Sequence, residues 1–217
     1  MNLKIQSEEI KNLWKIKNTG EDSIIELRAI KSNRTITKLF KGKDYKSVEE
    51  LRLAFEQEAL KLNTQGYNIY VVMNPINDSF DGRSAKDGDI AYRNLLLIDI
   101  DRHVTKNPAT EDELSAAHEL ANKVIEHLKD RKWDDPIKVM SGNGYHLYYT
   151  LDYLDNSDDI RDAIKDLLKG LAASFDTNVV KIDTSVFNAS RITKVVGTIA
   201  YKGEESADRP YRMARCV

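Results

Sequence analysis

A run of aliphatic residues that ends in two acids constrains this chain more than any other feature. Residues 95–101 read LLLIDID, a pattern that predicts a buried strand at the centre of a sheet. Asp99 and Asp101 stand two residues apart, so on a strand both carboxylates point to one face. Such neighbours repel each other unless a cation neutralises them, and oxygen donors at this spacing suit Mg²⁺ or Mn²⁺. The alternative is a solvated strand end with two exposed acids.

The composition is that of an ordinary globular protein. The chain has 217 residues, of which 41% are hydrophobic and 31% charged, enough for one domain or two small ones. A single cysteine excludes a disulfide framework and a cysteine zinc cluster. Cysteine usage makes a reducing cytoplasm the expected location. No apolar run approaches the roughly 20 residues of a membrane helix, so we expect no membrane partner. A net charge of −2 excludes a uniformly basic surface but leaves a local basic groove open.

A loop-like stretch rich in Asn, Asp and Gly precedes residue 90. Together with the hydrophobic periodicity on either side, it predicts two modules, residues 1–89 and 90–217. In the first module we predict strands at 24–30, 35–40 and 67–73, and a helix that begins at Ser47. In the second module the elements follow the order β-α-β-β-α-β. Its predicted strands are 95–101, 137–140, 145–150 and 179–183, with helices after Thr110 and across Ile160–Leu171.

This order is the split-βαβ, ferredoxin-like or RRM-like arrangement, which makes the fold class α+β. In that topology the first strand lies between the third and the fourth. Asp183, which ends the fourth strand, would then lie beside Asp99 and Asp101. Three carboxylates around two metal ions are the usual arrangement for nucleotidyl or phosphoryl transfer. The alternative is a lone acid at the end of a strand.

The segment SGNGYH, residues 141–146, carries the second group of candidate residues. Two glycines permit a tight turn whose backbone N–H groups can bind phosphate, and Ser141 adds a hydroxyl. His146 begins the third strand, on the other flank of the acidic strand, where it can donate a hydrogen bond to a triphosphate. The alternative is a plain hairpin turn, which Asn143-Gly144 favours.

A third group follows Asp183 and is rich in residues that bind phosphate. Arg191 is suited to a bidentate phosphate contact, and the alternative for the whole segment is a solvated basic loop. The group comprises Asn188, Ser190, Arg191, Lys194, Gly197, Thr198 and Lys202.

Taken together, these segments resemble the catalytic domain of the archaeo-eukaryotic primase (AEP) superfamily, the primase-polymerases. The three motifs of that family correspond to LLLIDID at 95–101, SGNGYHLYY at 141–149 and VVKID at 179–183. The continuation SRITKVVGT at 190–198 resembles plasmid, phage and CRISPR-associated members. The segments IIELRAI and YVVMNP, at 24–30 and 70–75, resemble their N-terminal module.

The resemblance implies an N-terminal αβ module packed on an RRM-like catalytic module, with the active site between them. It implies template-directed addition of nucleotides from NTPs or dNTPs, as a DNA primase, a DNA polymerase or both, with two divalent ions, Mg²⁺ or Mn²⁺. The implied metal ligands are Asp99, Asp101 and Asp183. The implied nucleotide-binding residues are Ser141, Asn143, His146, Arg191, Lys194 and Lys202. Asn143 departs from relatives that carry Lys or Arg there, which removes one phosphate contact.

The implied partners are nucleoside triphosphates and a single-stranded or primed DNA template, with further domains or proteins outside this chain. Basic residues near the motifs are the candidate template contacts: Arg83, Lys86, Arg93, Lys202 and Arg209. Two other functions stay open. One is a metal-dependent nucleotide cyclase, which needs no template. The other is a non-catalytic RRM-like module that stacks single strands on aromatics, for which Tyr145, Tyr148 and Tyr149 are available.

Overall fold

The computed structural model describes residues 3–17, 20, 23–104 and 106–217. The helices are α1 (Leu3–Ile10), α2 (Leu13–Ile16), α3 (Val48–Thr64), α4 (Glu111–Lys129) and α5 (Asp158–Phe175). The longer strands are β1 (Ile24–Lys31), β2 (Arg34–Lys41), β3 (Asn68–Val72), β4 (Arg93–Arg102), β5 (Ile137–Met140) and β6 (Tyr145–Leu154). The short strands are β7 (Val180–Ile182), β8 (Ile192–Lys194), β9 (Ile199–Ala200), β10 (Arg212–Met213) and β11 (Arg215–Cys216).

The first sheet has four strands in the order β2-β1-β3-β8. Helix α3 covers it with an apolar stripe that includes the buried side chains of Leu51 and Phe55. The predicted cap at the start of this helix is present, because Ser47 Oγ accepts a hydrogen bond from Glu50 N at 3.2 Å. The Glu50 carboxylate accepts a hydrogen bond from Lys46 N rather than from Ser47 N. Local sequence therefore fixes where this helix begins.

Strand β8 departs from the predicted division of the chain at residue 89. It pairs antiparallel with β3, with Val72 opposite Ile192 and Tyr70 opposite Lys194. The chain thus returns to the open edge of the first sheet after completing β7. A strand of only three residues carries too short a hydrophobic pattern to predict its partner.

The second sheet has five strands in the order β11-β5-β6-β4-β7. Strand β4 lies between β6 and β7, which confirms the predicted RRM-like order. Helices α4 and α5 pack on this sheet, and α4 begins at the predicted capping box. Thr110 Oγ1 accepts from Glu113 N at 3.1 Å, while the Glu113 carboxylate accepts from Thr110 N at 2.9 Å. Strand β11 extends the sheet beyond the prediction.

Both sheets share one hydrophobic core, to which Val71 of β3, Leu97 of β4 and Tyr148 of β6 all contribute. An α+β fold in which an N-terminal αβ module packs on an RRM-like module is therefore confirmed. Among the described helices, none has the length and apolar character needed to cross a membrane.

Candidate active site

A cavity of about 240 Å³ lies between the two sheets. Strands β4 and β6 and the turn after β5 form one wall, while β3, β8 and the segment around residue 200 form the other. The described residues that line it are Asn68, Tyr70, Leu97, Asp99, Asp101, Ser141, Asn143, His146, Ile192, Lys194, Ala200, Tyr201 and Lys202. The cavity therefore brings together residues of all three candidate groups, without Asp183 and Arg191.

Asp99 and Asp101 point into this cavity from β4, on either side of the fully buried Ile100. The alternation follows from strand geometry, as the sequence predicted. Asp101 Oδ2 lies 3.3 Å from Lys202 Nζ, and Asp101 Oδ1 accepts from Arg102 N at 2.8 Å. Lys202 thus already places a positive charge against this carboxylate.

Asp99 is the less well compensated of the two acids. Burial raises the pKa of Asp99, and the charges of Asp101 and Asp183 raise it further, while His146 and Lys202 oppose them. The ionised carboxylate is therefore disfavoured by its surroundings. An additional cation in the cavity would stabilise the charged form of Asp99.

His146 lies opposite Asp99 in the β4–β6 register. Its Nε2 is 3.5 Å from Asp99 Oδ1, and its Nδ1 is 3.1 Å from the Tyr148 hydroxyl. The ring is thus held between a carboxylate and a buried phenol. His146 faces the cavity from the flank that the sequence predicted.

The glycines of the 141–144 turn let it close against the end of β4. A Cβ on Gly144 would lie 2.1 Å from the Ile100 carbonyl oxygen, and Gly142 has φ of +105°. The turn is also a hairpin turn, since Ser141 N donates to Gly144 O at 2.9 Å. Asn143 Oδ1 accepts from Ala109 N at 2.9 Å, so this side chain holds the segment before α4 as well as lining the cavity.

Lys194 enters the cavity from the opposite wall and is 5% exposed. Its ammonium donates to the Ile199 carbonyl at 2.8 Å and lies 5.8 Å from the centre of the Tyr70 ring. Burial lowers the pKa of Lys194 to about 7. An anion in the cavity would stabilise its charged form.

Asp183 and Arg191 lie next to this arrangement without lining the cavity. Asp183 directly follows β7, and its N donates to Asp99 O at 2.8 Å, which places this residue beside β4. Its carboxylate accepts from Ser185 N at 2.8 Å, and the Arg191 guanidinium donates to Ser185 O. Across residues 3–17, 20, 23–104 and 106–217, no three His, Cys, Asp or Glu side chains form a group that could hold a metal ion.

Several other candidates of the third group have structural partners. The Asp87 carboxylate accepts from Ser190 N at 2.8 Å, from Ser190 Oγ at 2.7 Å and from Asn188 Nδ2 at 3.4 Å. Thr198 is fully buried and donates to the Val195 carbonyl. These polar side chains therefore hold the segment between β7 and β9 in place.

Two of the predicted DNA contacts, Arg93 and Arg209, have partners within the protein. Arg93 is 3% exposed and donates to Phe187 O at 2.8 Å. Arg209 donates to Pro108 O at 2.7 Å and to the Glu113 carboxylate at 2.8 Å. The three tyrosines that were available for stacking in the alternative, a non-catalytic single-strand-binding module, are buried: Tyr145, Tyr148 and Tyr149 are 8%, 2% and 3% exposed.

The sequence did not lead us to predict that β3 lines one wall of the cavity. Asn68 and Tyr70 line the cavity, while Ile69 and Val71 between and after them are fully buried in the core. The alternation in residues 68–71 was the available signal, because it places both polar side chains on one face. It did not indicate that this face would meet the acidic strand.

The fold is shared with solved primase and polymerase structures. The AEP domain of the cyanophage S-2L primase-polymerase matches with a TM-score of 0.55 and 16% identity, over 97% of this chain and 88% of that chain. This chain has the AEP primase-polymerase fold. The structure of this chain also matches the polymerase domain of Mycobacterium tuberculosis Ligase D in complex with DNA. That match has a TM-score of 0.54 and 15% identity, over 97% of this chain and 79% of that chain.

The primase RepB' matches with a TM-score of 0.53 and 11% identity, over 98% of this chain and 56% of that chain. No protein-family model matches the sequence, and no curated protein sequence matches it. The likeness is thus one of AEP fold rather than of sequence.

Proposed function

We propose that this chain is a template-directed nucleotidyltransferase that adds nucleotides from NTPs or dNTPs, as a DNA primase, a DNA polymerase or both. One observation carries the proposal. A single cavity of the AEP fold has Asp99 and Asp101 on one wall and Lys194 on the other, with Lys202 reaching Asp101. Carboxylates that bind a divalent cation and ammonium groups that bind phosphate are both needed for transfer from a nucleoside triphosphate.

The donor chemistry of the acidic wall fits Mg²⁺ or Mn²⁺. Asp99 and Asp101 supply only oxygen atoms, and burial raises the pKa of Asp99, so its carboxylate lacks sufficient compensation. We assign these two residues as metal ligands, and Asp183 as the third once its carboxylate leaves Ser185 N. Bound divalent ions supply positive charge that stabilises the transferring phosphoryl group.

The chain's own residues would bind and orient the triphosphate. We assign the Ser141 hydroxyl, the glycine turn, His146 and the two lysines to this role. Asn143 can contribute only its Nδ2 donors, because its Oδ1 is held by Ala109 N. Arg191 would have to leave the Ser185 carbonyl to join them.

The template would be held by few side chains. Of the five predicted contacts, Arg83 and Lys86 are exposed, while Lys202 is engaged with Asp101. A small number of phosphate contacts gives weak, salt-sensitive binding. Burial of Tyr145, Tyr148 and Tyr149 removes the stacking residues that the sequence offered for a pure single-strand-binding module.

The deciding experiment is a nucleotide-incorporation assay on primed and unprimed single-stranded DNA of defined sequence, with Mg²⁺ or Mn²⁺. Incorporation should follow the template base and should disappear in Asp101→Asn. Asp81→Asn, an exposed acid in the loop before β4, is the matched control and should retain activity. A cyclic nucleotide product formed without template would identify a cyclase, and an inactive wild-type chain would refute the proposal.

A further inference from the structure

Two asparagine side chains hold the segment that brings Lys202 into the cavity. This segment, residues 199–202, begins with β9, a strand of only two residues that pairs with β10 on one side. On its other side no strand of the described chain is paired with it. Its backbone groups there are bound by side-chain amides from α3 and β3.

Asn63 of α3 makes the first of these contacts. Its Oδ1 accepts from Ile199 N at 2.8 Å, and its Nδ2 donates to Ile199 O at 3.0 Å. The side chain is 1% exposed, so both hydrogen bonds are shielded from water. The same Ile199 carbonyl accepts from Lys194 Nζ at 2.8 Å. Asn63 thus fixes the acceptor that orients the buried ammonium.

Asn68 makes the second contact two residues further along. Its Oδ1 accepts from Tyr201 N at 2.8 Å, and its Nδ2 donates to Tyr201 O. Lys202 follows directly and lies 3.3 Å from Asp101 Oδ2. Backbone groups of residues 199 and 201 face the same side of an extended segment. The side-chain amides of Asn63 and Asn68 therefore make the hydrogen bonds that a neighbouring strand would otherwise make. We call these paired contacts the amide clasps.

We propose that Asn63 and Asn68 are positioning residues of the nucleotide site, because their clasps set where Lys194 and Lys202 present their charges. This inference rests on the proposed function, and neither asparagine takes part in the chemistry. Asparagine carries a donor and an acceptor on two separate atoms at this reach, so it can bind the N–H and the carbonyl of one residue together. Aspartate would set a carboxylate oxygen against the Tyr201 carbonyl, and glutamine is one methylene longer.

A double-mutant cycle on nucleotide binding tests the proposal. Affinity for a non-hydrolysable nucleoside triphosphate with Mg²⁺ is measured for wild type, Asn68→Asp, Lys202→Ala and the double variant. Each single change should weaken binding about tenfold. The double variant should be no weaker than Lys202→Ala by more than about twofold, because the clasp acts through that lysine. In the incorporation assay Asn68→Asp should raise KM for the nucleotide more than it lowers kcat.

The matched control is Asn122→Asp in α4, a part-buried asparagine that also makes two side-chain hydrogen bonds, to His118 and Lys138. It should change nucleotide affinity by less than about twofold, since it lies outside the cavity. Unchanged affinity in Asn68→Asp, or losses of Asn68→Asp and Lys202→Ala that multiply in the double variant, would overturn the positioning role.

Hydrogen exchange tests the clasp without any nucleotide. Asn68→Asp should speed exchange of the Tyr201 amide about tenfold or more, while the amides of β4 keep their protection. If the wild-type chain binds no triphosphate, the proposed function fails and exchange alone decides the clasp. Unchanged protection at Tyr201 would then refute it, and a selective loss of protection there would support it.

Discussion

Asp99 and Lys194 inside the cavity have destabilised charged forms, whereas Asp87 and Glu113 outside it have stabilised ones. Inside, burial raises the pKa of Asp99 and lowers that of Lys194 to about 7, so both charged forms are disfavoured. Outside, burial also acts on Asp87 and Glu113. There, burial is the largest single effect, but the hydrogen bonds from Ser190 and Asn188 to Asp87, and from Arg209, Thr110 and Arg102 to Glu113, together outweigh it and leave the pKa of each carboxylate below its usual value.

A bound ligand would therefore stabilise the charged forms of Asp99 and Lys194, whereas Asp87 and Glu113 already stabilise the fold. A charge whose pKa moves toward the neutral form costs stability, and a charge whose pKa moves the other way contributes it. Charged groups whose pKa is shifted toward the neutral form, and which share one cavity, are typical of functional sites. The comparison therefore predicts opposite responses to neutralising an acid inside the cavity and one outside it.

The largest expected effect comes from Asp99→Asn. Nucleotide incorporation should fall by about a thousandfold or below detection, because one metal ligand is lost from the acidic wall. The melting temperature should stay constant or rise, since a carboxylate whose charged form is disfavoured by its surroundings is replaced by a neutral amide. Single-turnover incorporation and thermal denaturation measure the two effects. A variant that folds normally and keeps near-wild-type activity would place the metal elsewhere.

Lys194→Met should weaken nucleoside triphosphate binding about tenfold, because a buried ammonium is lost from the wall opposite the acids. Wild-type affinity should decline as the pH rises above about 7, where unliganded Lys194 loses its proton. The variant should lack that part of the pH dependence. Calorimetric titration between pH 6 and 9, with wild type and variant under identical conditions, separates this effect from protonation of the nucleotide.

The same residue predicts a pH effect on folding. The folded pKa of Lys194 is about 7, below its unfolded value of about 10.4. Between these values the unfolded chain binds the extra proton, so this residue makes stability rise with pH across that window. Urea denaturation at pH 7 and pH 9 should show this rise in wild type and a smaller rise in Lys194→Met. An equal rise in stability with pH in wild type and in Lys194→Met would contradict the burial of Lys194.

Glu113→Gln should have the smallest effect on catalysis and the opposite effect on stability. Its carboxylate accepts from Arg102 at 3.2 Å, from Arg209 at 2.8 Å and from Thr110 N at 2.9 Å. Loss of these charge-assisted bonds should lower the free energy of unfolding by about 1–2 kcal/mol at pH 7.

Protonation of Glu113 should act in the same direction as the substitution. Since its folded pKa is lowered, its contribution is complete above the unfolded value of about 4.3 and is lost as pH falls through the folded pKa. The difference between wild type and Glu113→Gln should therefore shrink in acid. Glu204→Gln, an exposed acid, is the control and should leave stability unchanged. A stable Glu113→Gln would contradict a structural role for this group.

The sequence by itself determined the acidic strand and the elements around it. The aliphatic run before Asp99, the cap at Thr110 and the glycines beside Ser141 are local signals. Each acts through neighbouring residues, by burial periodicity, by capping or by backbone freedom. The predicted position of β4 between β6 and β7 followed from the order of the elements, because few topologies accommodate that order.

Only the tertiary structure decided the other wall of the cavity. The pairing of β3 with β8 joins Tyr70 to Lys194 across more than a hundred residues of chain, and no local pattern encodes that partner. Comparable sequence separations explain why the contacts of Asn68 with Tyr201 and of Arg209 with Glu113 were not predicted. A sequence shows which side chains can carry charge. Which of them remain free for a ligand depends on long-range packing, because burial and hydrogen-bond partners are set by residues far apart in the chain.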